Sequence, residues 1–224
     1  MPRIAQSRFP AAHEELLAYG DAEASQASQP WFVYLFALSD CSAFKVGFSC
    51  NPLHRIYSFS RRYFEQFDLS QSRLLRVGAC DDARAIEAAL KTELAQFRAA
   101  CPAWVPFEAG GHTEWFSAVY FGDAEARLQS FAQVYDAAQL ISASEFILGE
   151  LARLTSSFER WAWGQAQQVC DAWSFANRGY TASDASRSLR DWLDAYRFFD
   201  IPLFADDPSV LEFVSKSARL RVDG

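Results

Sequence analysis

A tyrosine and a lysine on two neighbouring strand-like segments, Tyr34 and Lys45, are the first side chains whose types and spacing could support catalysis. The ordinary pKa of a phenol is about 10, and an adjacent ammonium lowers that pKa because it stabilises the phenolate. A tyrosine beside a lysine is therefore a better acceptor of a proton from water. The alternative interpretation is an amphipathic strand on which both side chains face solvent.

A β-hairpin would bring these two residues together. Residues 31–38 and 44–48 are apolar and strand-like, and the segment Ser39 to Ser42 between them contains turn formers. If that segment is the loop, paired residue numbers sum to 81, and Tyr34 lies diagonal to Lys45 on one face. A slip by one residue would mix polar and apolar faces, so hydrophobicity selects this register. The opposite face would then consist of Val33, Leu35, Ala37, Phe44, Val46 and Phe48.

A helix with several basic side chains follows the hairpin. Asn51 and Pro52 supply an N-cap and a first-turn proline, which predicts a helix from Pro52 to about Phe64. Its apolar residues recur at three- and four-residue spacing, so most of its aromatic side chains belong to the core. The candidates for contact with a phosphate backbone are then Arg55, Arg61 and Arg62 of this segment, Arg73 and Arg76 of the strand that follows, and His54. His54 is equally well read as an ordinary surface histidine.

A second helix carries an acidic candidate. A strand from about Ser72 to Cys80 is followed by Asp81 and Asp82, which can cap a helix with apolar residues at helical spacing. Glu87 lies on this helix, and Lys91 follows four residues later in the orientation of an ordinary surface ion pair. A loop over residues 102–113 then leads to a Glu-Trp-Phe triplet at residues 114–116.

The rest of the chain has a helical pattern. Beyond Asp123 we predict helices at 123–137, 144–177, 182–199 and 208–217, with Gly179 as a C-terminal cap. Two of these helices carry apolar stripes that would face each other in a helical hairpin. The stripes either pack within this protein or provide a surface for a homodimer or another protein partner. They comprise Phe146, Leu151, Leu154, Phe158, Trp161, Trp173, Leu189, Trp192, Tyr196 and Phe199.

Composition excludes several classes of protein. Half of the 224 residues are hydrophobic and only 22% are charged, which is typical of a folded chain. The five cysteines form no CxxC pair, so they indicate neither a disulfide framework nor a zinc site. The longest apolar run, Trp31 to Leu38, is far shorter than the roughly 20 residues that a bilayer requires. We therefore expect a cytoplasmic protein that does not enter the membrane.

In this order, the residues resemble the GIY-YIG nuclease superfamily, in particular its T5orf172-like and Mug113-like branch. The resemblance covers about residues 31–120. No glycine precedes Tyr34, and Thr113 stands where relatives carry a glycine before the Glu-Trp-Phe triplet. The matching residues are Val33-Tyr34-Leu35, Lys45-Val46-Gly47, Arg55, Glu87 and Glu114-Trp115-Phe116.

The resemblance implies an α+β fold in which a small three-stranded antiparallel sheet is flanked by helices, followed here by an all-α C-terminal region. The corresponding boundaries are an extension at 1–30, a nuclease-like domain at 31–122 and a helical domain at 123–224. It also implies metal-dependent hydrolysis of DNA phosphodiester bonds. The alternative is a non-catalytic module of the same fold that binds nucleic acid or protein.

The resemblance also implies a role for each matching residue. Tyr34 would deprotonate or position the attacking water, with Lys45 beside it in the second motif. Arg55 would hold the scissile phosphate. Glu87 would be the sole protein ligand of Mg²⁺ or Mn²⁺, an arrangement that suits a cation that keeps several waters and takes further oxygens from substrate.

Overall fold

The computed structural model describes residues 29–174 and 179–219, except for the side chains of 172–174 and 179–183. All but the last two residues of the predicted extension at 1–30 therefore lie outside the described residues, and so does the side chain of Trp173. The described chain forms two compact units that meet in sequence at Glu150. None of the helices described is both long and apolar enough to span a bilayer.

The first unit contains an antiparallel sheet of five strands among the described residues, in the order β4-β2-β1-β3-β5. The predicted number of three strands is wrong, because two short strands extend the sheet at its edges. The three-residue β4 and the four-residue β5 are too short to show a period of two in the sequence. The strands are β1 (Trp31–Leu38), β2 (Ala43–Ser49), β3 (Phe67–Val77), β4 (Trp115–Ser117) and β5 (Gln139–Ser142).

The register of the β1–β2 hairpin is the predicted one. Tyr34 pairs with Gly47 and Phe36 with Lys45, so Tyr34 and Lys45 lie on one face in diagonal positions. The opposite face packs on two helices of the first unit, and its residues Val33, Leu35, Phe44 and Val46 are fully buried. The α+β class and the antiparallel sheet flanked by helices are therefore confirmed.

The helices begin and end close to the predicted positions, with a few differences. The helix predicted to reach Phe64 ends at Phe59, because the backbone becomes extended at Ser60 and resumes as a short helix at Tyr63. Phe59 and Tyr63 are both fully buried, so tertiary packing overrides the continuous helical pattern. The helices are α1 (Pro52–Phe59), α2 (Tyr63–Gln66), α3 (Cys80–Glu93), α4 (Phe121–Val134), α5 (Ala143–Ser174), α6 (Gly179–Phe198) and α7 (Pro208–Arg219).

Two predicted caps and one strand boundary are wrong. The third strand is β3, which starts at Phe67 because its first residues pair with β1 beyond a bulge. Asp81 and Asp82 lie inside the first turn of α3, where they oppose the positive end of the helix dipole instead of capping it. Gly179 is the first residue of α6, not the cap of the helix before it.

The second unit is wholly helical among its described residues, and the predicted helical hairpin is confirmed. The Phe158 ring of α5 stacks on Tyr196 of α6 at a centroid distance of 4.5 Å and also contacts Trp192. The Tyr196 hydroxyl donates a hydrogen bond of 3.0 Å to the Leu151 carbonyl. The central parts of the two stripes thus pack on each other, whereas Phe146 packs on Phe32 of β1. A homodimer or protein partner at these helices remains a prediction.

Candidate active site

Tyr34 lies at the centre of the candidate site and is almost fully buried, with 1% of its surface exposed. Its ring stacks on Phe36 at a centroid distance of 4.3 Å, and its hydroxyl lies directly over Gly47 of the paired strand. The alternative of a solvated strand face is therefore wrong. Aromatic residues of α1, β3 and β4 cover this face, among them Phe59, Phe67 and Trp115.

We expect Gly47→Ala to destabilise the protein, because Gly47 gives the Tyr34 phenol its space. A Cβ at position 47 would lie 2.2 Å from the Tyr34 hydroxyl oxygen. The buried ring would have to move, at a cost of about 1–3 kcal/mol in the free energy of unfolding. Urea denaturation measures this change. Gly78→Ala is the control, since a Cβ there meets nothing within 4 Å, and equal stability of the two variants would contradict the packing described.

Arg55 contacts Tyr34 from the first helix. The Asn51 side chain caps α1 by accepting a hydrogen bond from the His54 backbone amide, which fixes the turn that carries Arg55. Arg55 Nε donates to the Tyr34 hydroxyl at 3.1 Å, and Arg55 Nη1 donates to the Ala109 carbonyl at 2.6 Å. The guanidinium also lies 4.4 Å from the centroid of the Phe59 ring. The Arg55 guanidinium is thus held in place beside the phenol, and its role in holding the scissile phosphate stays a prediction.

Lys45 and Glu87 belong to a chain of charges of alternating sign. Lys45 Nζ donates to the Val46 carbonyl at 2.7 Å and to Glu114 Oε2 at 3.1 Å. Lys91 Nζ lies 3.6 Å from Glu114 Oε1 and 3.2 Å from Glu87 Oε2. The predicted pair between Glu87 and Lys91 is confirmed, but Lys91 also contacts Glu114. The four residues Lys45, Glu114, Lys91 and Glu87 are called the charge chain below.

Burial dominates the titration of the two residues first singled out. Burial raises the pKa of Tyr34 above its ordinary value, although the adjacent Arg55 guanidinium acts to lower it. The expectation that Lys45 lowers the Tyr34 pKa is therefore wrong, because the cation next to the hydroxyl is Arg55 and desolvation outweighs it. Burial also lowers the pKa of Lys45 to about 8, against the opposing effect of the Glu114 carboxylate.

Glu114 stays ionised beside its two lysines. Partial burial disfavours its charged form, but the ammonium groups of Lys45 and Lys91 outweigh this and hold the pKa of Glu114 below its ordinary value. The Glu87 and Glu114 carboxylates are close enough to act on the pKa values of both Tyr34 and Lys45. The site thus brings together all four residues that the sequence predicted: Tyr34, Lys45, Arg55 and Glu87.

Lys45 should make the stability of the protein depend on alkaline pH. Its pKa is about 8 when folded and near 10.5 when unfolded, so the unfolded state binds more protons between these values. The penalty of burying the ammonium is fully present below pH 8. We therefore expect the free energy of unfolding to gain up to roughly 3 kcal/mol from this residue as the pH rises to 10.5.

Denaturation at pH 7.5 and pH 10 measures this effect. In Lys45→Met the pH-dependent gain should be smaller than in the unaltered protein by the share due to Lys45. Lys216→Met removes the same charge from an exposed pair with Glu212 and should keep the gain. The same gain in Lys45→Met as in Lys216→Met would show that Lys45 does not titrate in this range.

The segment before β4 lies against the site. Gly111 has a φ of +69°, and a Cβ there would lie 3.0 Å from Arg55 Nη2 and 3.1 Å from Glu114 Oε2 and Lys45 Cε. Together with the Ala109 carbonyl, it covers the Arg55 guanidinium. A phosphate that reached Arg55 Nη1 would have to replace the Ala109 carbonyl.

The other predicted substrate contacts lie on α1 and just after it. His54 and Arg61 are exposed, and Arg62 is half-buried. Arg62 makes a bidentate ion pair with Glu65, with Nε to Oε2 at 2.8 Å and Nη2 to Oε1 at 2.6 Å. The role of these three side chains as substrate contacts stays a prediction.

Sequence reasoning missed the second contact of Lys91 and the position of Gly111. The spacing between Glu87 and Lys91 indicated a surface pair, and nothing local indicated that Glu114 returns to the same place. The glycine pair Gly110-Gly111, three residues before Glu114, was a usable signal. Adjacent glycines indicate a backbone that adopts positive φ or passes close to other groups, and both glycines do have positive φ in the structure.

The acidic side chains of the site determine whether it could hold a divalent cation. The described residues contain no group of three or more His, Cys, Asp or Glu side chains that could hold an ion. Glu87 offers a largely buried carboxylate, which pairs with Lys91 through Oε2. A single carboxylate ligand suits Mg²⁺ or Mn²⁺, which take waters and substrate oxygens as further ligands. The residues therefore fit a site with one protein ligand.

The first unit thus combines an antiparallel α+β fold with a contact between Arg55 and the buried Tyr34, a buried Lys45, and the carboxylates of Glu87 and Glu114. A model of the T5orf172 domain family matches residues 31–141, about half of the chain, and these residues belong to that family, which indicates a nuclease-like or DNA-binding module. The family is a branch of the GIY-YIG superfamily, as the resemblance indicated. No curated protein and no solved structure matches the chain.

Proposed function

We propose that this protein is a metal-dependent DNA endonuclease that hydrolyses phosphodiester bonds with one divalent cation. The observation that carries the proposal is the hydrogen bond between Arg55 and Tyr34 beside the charge chain that ends at Glu87. In the proposal, Arg55 is the phosphate-binding group, the Tyr34 hydroxyl orients the water, and Glu87 is the metal ligand. The T5orf172 family assignment supports DNA as the substrate.

Arg55 binds the scissile phosphate in this proposal. Its guanidinium exchanges the Ala109 carbonyl for phosphate oxygens, and a fixed fork of donors suits the charge that grows on those oxygens. The stacking on Phe59 holds the group in orientation meanwhile. Glu87 would hold Mg²⁺, which supplies Lewis-acid stabilisation of the developing negative charge when bound.

Tyr34 positions the attacking water. Its hydroxyl oxygen already accepts a hydrogen bond from Arg55, so the phenol and the phosphate-binding group are oriented relative to each other. The raised pKa of Tyr34 keeps the phenol protonated at neutral pH, which favours positioning over proton abstraction. Lys45 acts as a positioning residue: its ammonium supports Glu114 and offsets the negative charge of the carboxylates.

Plasmid cleavage tests the proposal. Supercoiled plasmid and single-stranded DNA are incubated with the full chain in Mg²⁺, in Mn²⁺ and in EDTA. We expect nicked or linear products that require the metal. DNA binding without cleavage in any metal would instead support a non-catalytic module. The exposed Arg61 side chain is the feature that favours this second function. If the protein neither binds nor cuts DNA, both the endonuclease and a DNA-binding module are ruled out.

A further inference from the structure

Lys91 stands between two carboxylates of the charge chain. Its Nζ lies 3.2 Å from Glu87 Oε2 and 3.6 Å from Glu114 Oε1. Glu87 is the proposed ligand of the divalent cation. An ammonium and a metal ion at the same carboxylate repel each other and neutralise the same charge, so they compete for it.

We infer that Lys91 competes with the divalent cation for the Glu87 carboxylate, and that Glu114 takes over the Lys91 ammonium when the cation binds. Lys91 would thus set the affinity of the site for metal. Glu114 would lower the electrostatic cost of metal binding, because its carboxylate pairs with the displaced Lys91 ammonium. The inference rests on the proposed function, because it takes Glu87 as the metal ligand.

The geometry around Glu114 provides a second place for the ammonium. The two oxygens of Glu114 are divided between the lysines, with Oε2 on Lys45 and Oε1 facing Lys91. The contact of 3.6 Å to Oε1 is longer than the 3.2 Å contact to Glu87 and has room to shorten. The side chain of Lys91 is 29% exposed, whereas that of Lys45 is 1% exposed. Lys91 can therefore move between the carboxylates while Lys45 stays fixed.

The electrostatics of Glu114 support this transfer. Although partial burial opposes its ionisation, the two neighbouring ammonium groups keep the pKa of Glu114 low, so a carboxylate is ready to receive Lys91. Without Glu114, a displaced Lys91 would have to enter solvent or remain beside the metal. In the second case the like charges would weaken metal binding.

Binding of Mn²⁺ to the full chain in the absence of DNA tests the inference without any cleavage assay. Electron paramagnetic resonance measures the concentration of free Mn²⁺ as the protein is titrated with the ion. Mn²⁺ stands in for Mg²⁺ because both prefer oxygen ligands. We expect Lys91→Met to lower the Kd for Mn²⁺ roughly tenfold, since it removes one competing charge a few ångströms away. Lys91→Gln is the second variant and should act in the same direction.

Lys216→Met is the matched control. Lys216 pairs with Glu212 at i,i+4, as Lys91 pairs with Glu87, and its removal changes the net charge equally. The Kd for Mn²⁺ should not change in this control. If neither Lys91 variant binds Mn²⁺ more tightly than Lys216→Met does, competition by Lys91 is refuted.

A double-mutant cycle tests the part assigned to Glu114. Glu114→Gln should weaken Mn²⁺ binding several-fold when Lys91 is present and should have little effect in the Lys91→Met background. Equal weakening in both backgrounds would show that Glu114 acts on the cation directly, as a ligand or through its charge, and would overturn its role as acceptor of Lys91.

Glu87→Gln separates failure of the inference from failure of the proposed function. If Mn²⁺ binding depends on Glu87 but is not tightened in the Lys91 variants, the inference fails and the metal site of the proposed function stands. If Glu87→Gln leaves Mn²⁺ binding unchanged in the Lys91→Met background, the ligand assignment itself is wrong, and the inference falls with it.

Discussion

Glu87→Gln should abolish Mg²⁺-dependent cleavage of DNA, with a rate loss of roughly 10³-fold or more. The substitution keeps the size of the side chain but removes the charge of the sole proposed protein ligand. Stabilisation of phosphate charge by one divalent cation contributes several kcal/mol to the transition state, and each 1.4 kcal/mol is a factor of about ten in rate. The loss should appear in the cleavage rate at saturating protein.

The control for this variant lies on the same helix. Glu93 pairs with Arg127 at 2.9 Å on the exposed side of α3, so Glu93→Gln makes the same chemical change away from the site. We expect it to cut DNA normally. Both variants should bind DNA in a gel-shift assay at moderate salt. Cleavage by Glu87→Gln at more than a tenth of the normal rate would remove Glu87 from the catalytic site.

Tyr34→Phe should reduce the cleavage rate by roughly 10²- to 10³-fold. The variant removes the hydroxyl proposed to orient the water, and it also removes the acceptor of the Arg55 Nε hydrogen bond. Loss of one well-placed hydrogen-bonding group in an active site costs about this factor. Single-turnover kinetics measures the effect on the chemical step.

Two comparisons distinguish this loss from a general structural effect. Tyr120→Phe alters a half-buried tyrosine that stacks on Phe97 outside the site, and its cleavage rate should be normal. Below pH 8, the rates of the unaltered protein and of Tyr34→Phe should depend on pH in the same way, because burial keeps the phenol protonated. A slope that disappears in Tyr34→Phe would show that Tyr34 abstracts the proton.

The hairpin could be predicted from sequence because its two strands restrict each other. A slip by one residue would move Phe44 and Val46 away from the face of Val33 and Leu35, and the structure has the predicted register. Once the register is known, the position of Tyr34 relative to Lys45 follows from the pleat of the strands.

The environment of the same two residues could not be predicted from the strands. Phe59 of α1 and Trp115 of β4 cover the Tyr34 face, and both come from elements distant in sequence. The burial of Tyr34 beneath these side chains raises its pKa, opposite to the predicted direction, because desolvation exceeds the effect of the neighbouring Arg55 guanidinium. Local patterns identify a titratable group, but the tertiary structure determines its pKa.

The charge chain shows the same limit. The pair between Glu87 and Lys91 follows from helical spacing, whereas the contact between Lys91 and Glu114 depends on how the loop before β4 returns to the sheet. The sequence of a loop has no periodicity from which its path could be predicted. The edge strands β4 and β5 were missed for a related reason, since three or four residues are too few to establish a period.

The most direct test of the site is the single-turnover cleavage rate of one DNA substrate in Mg²⁺, measured for Tyr34→Phe, Arg55→Lys and the double variant. If the two side chains act together on one phosphate and its attacking water, the double variant should cut about as slowly as the slower single variant. Rate losses that simply multiply, or cleavage that neither substitution slows, would show that Tyr34 and Arg55 do not form one DNA-cutting centre.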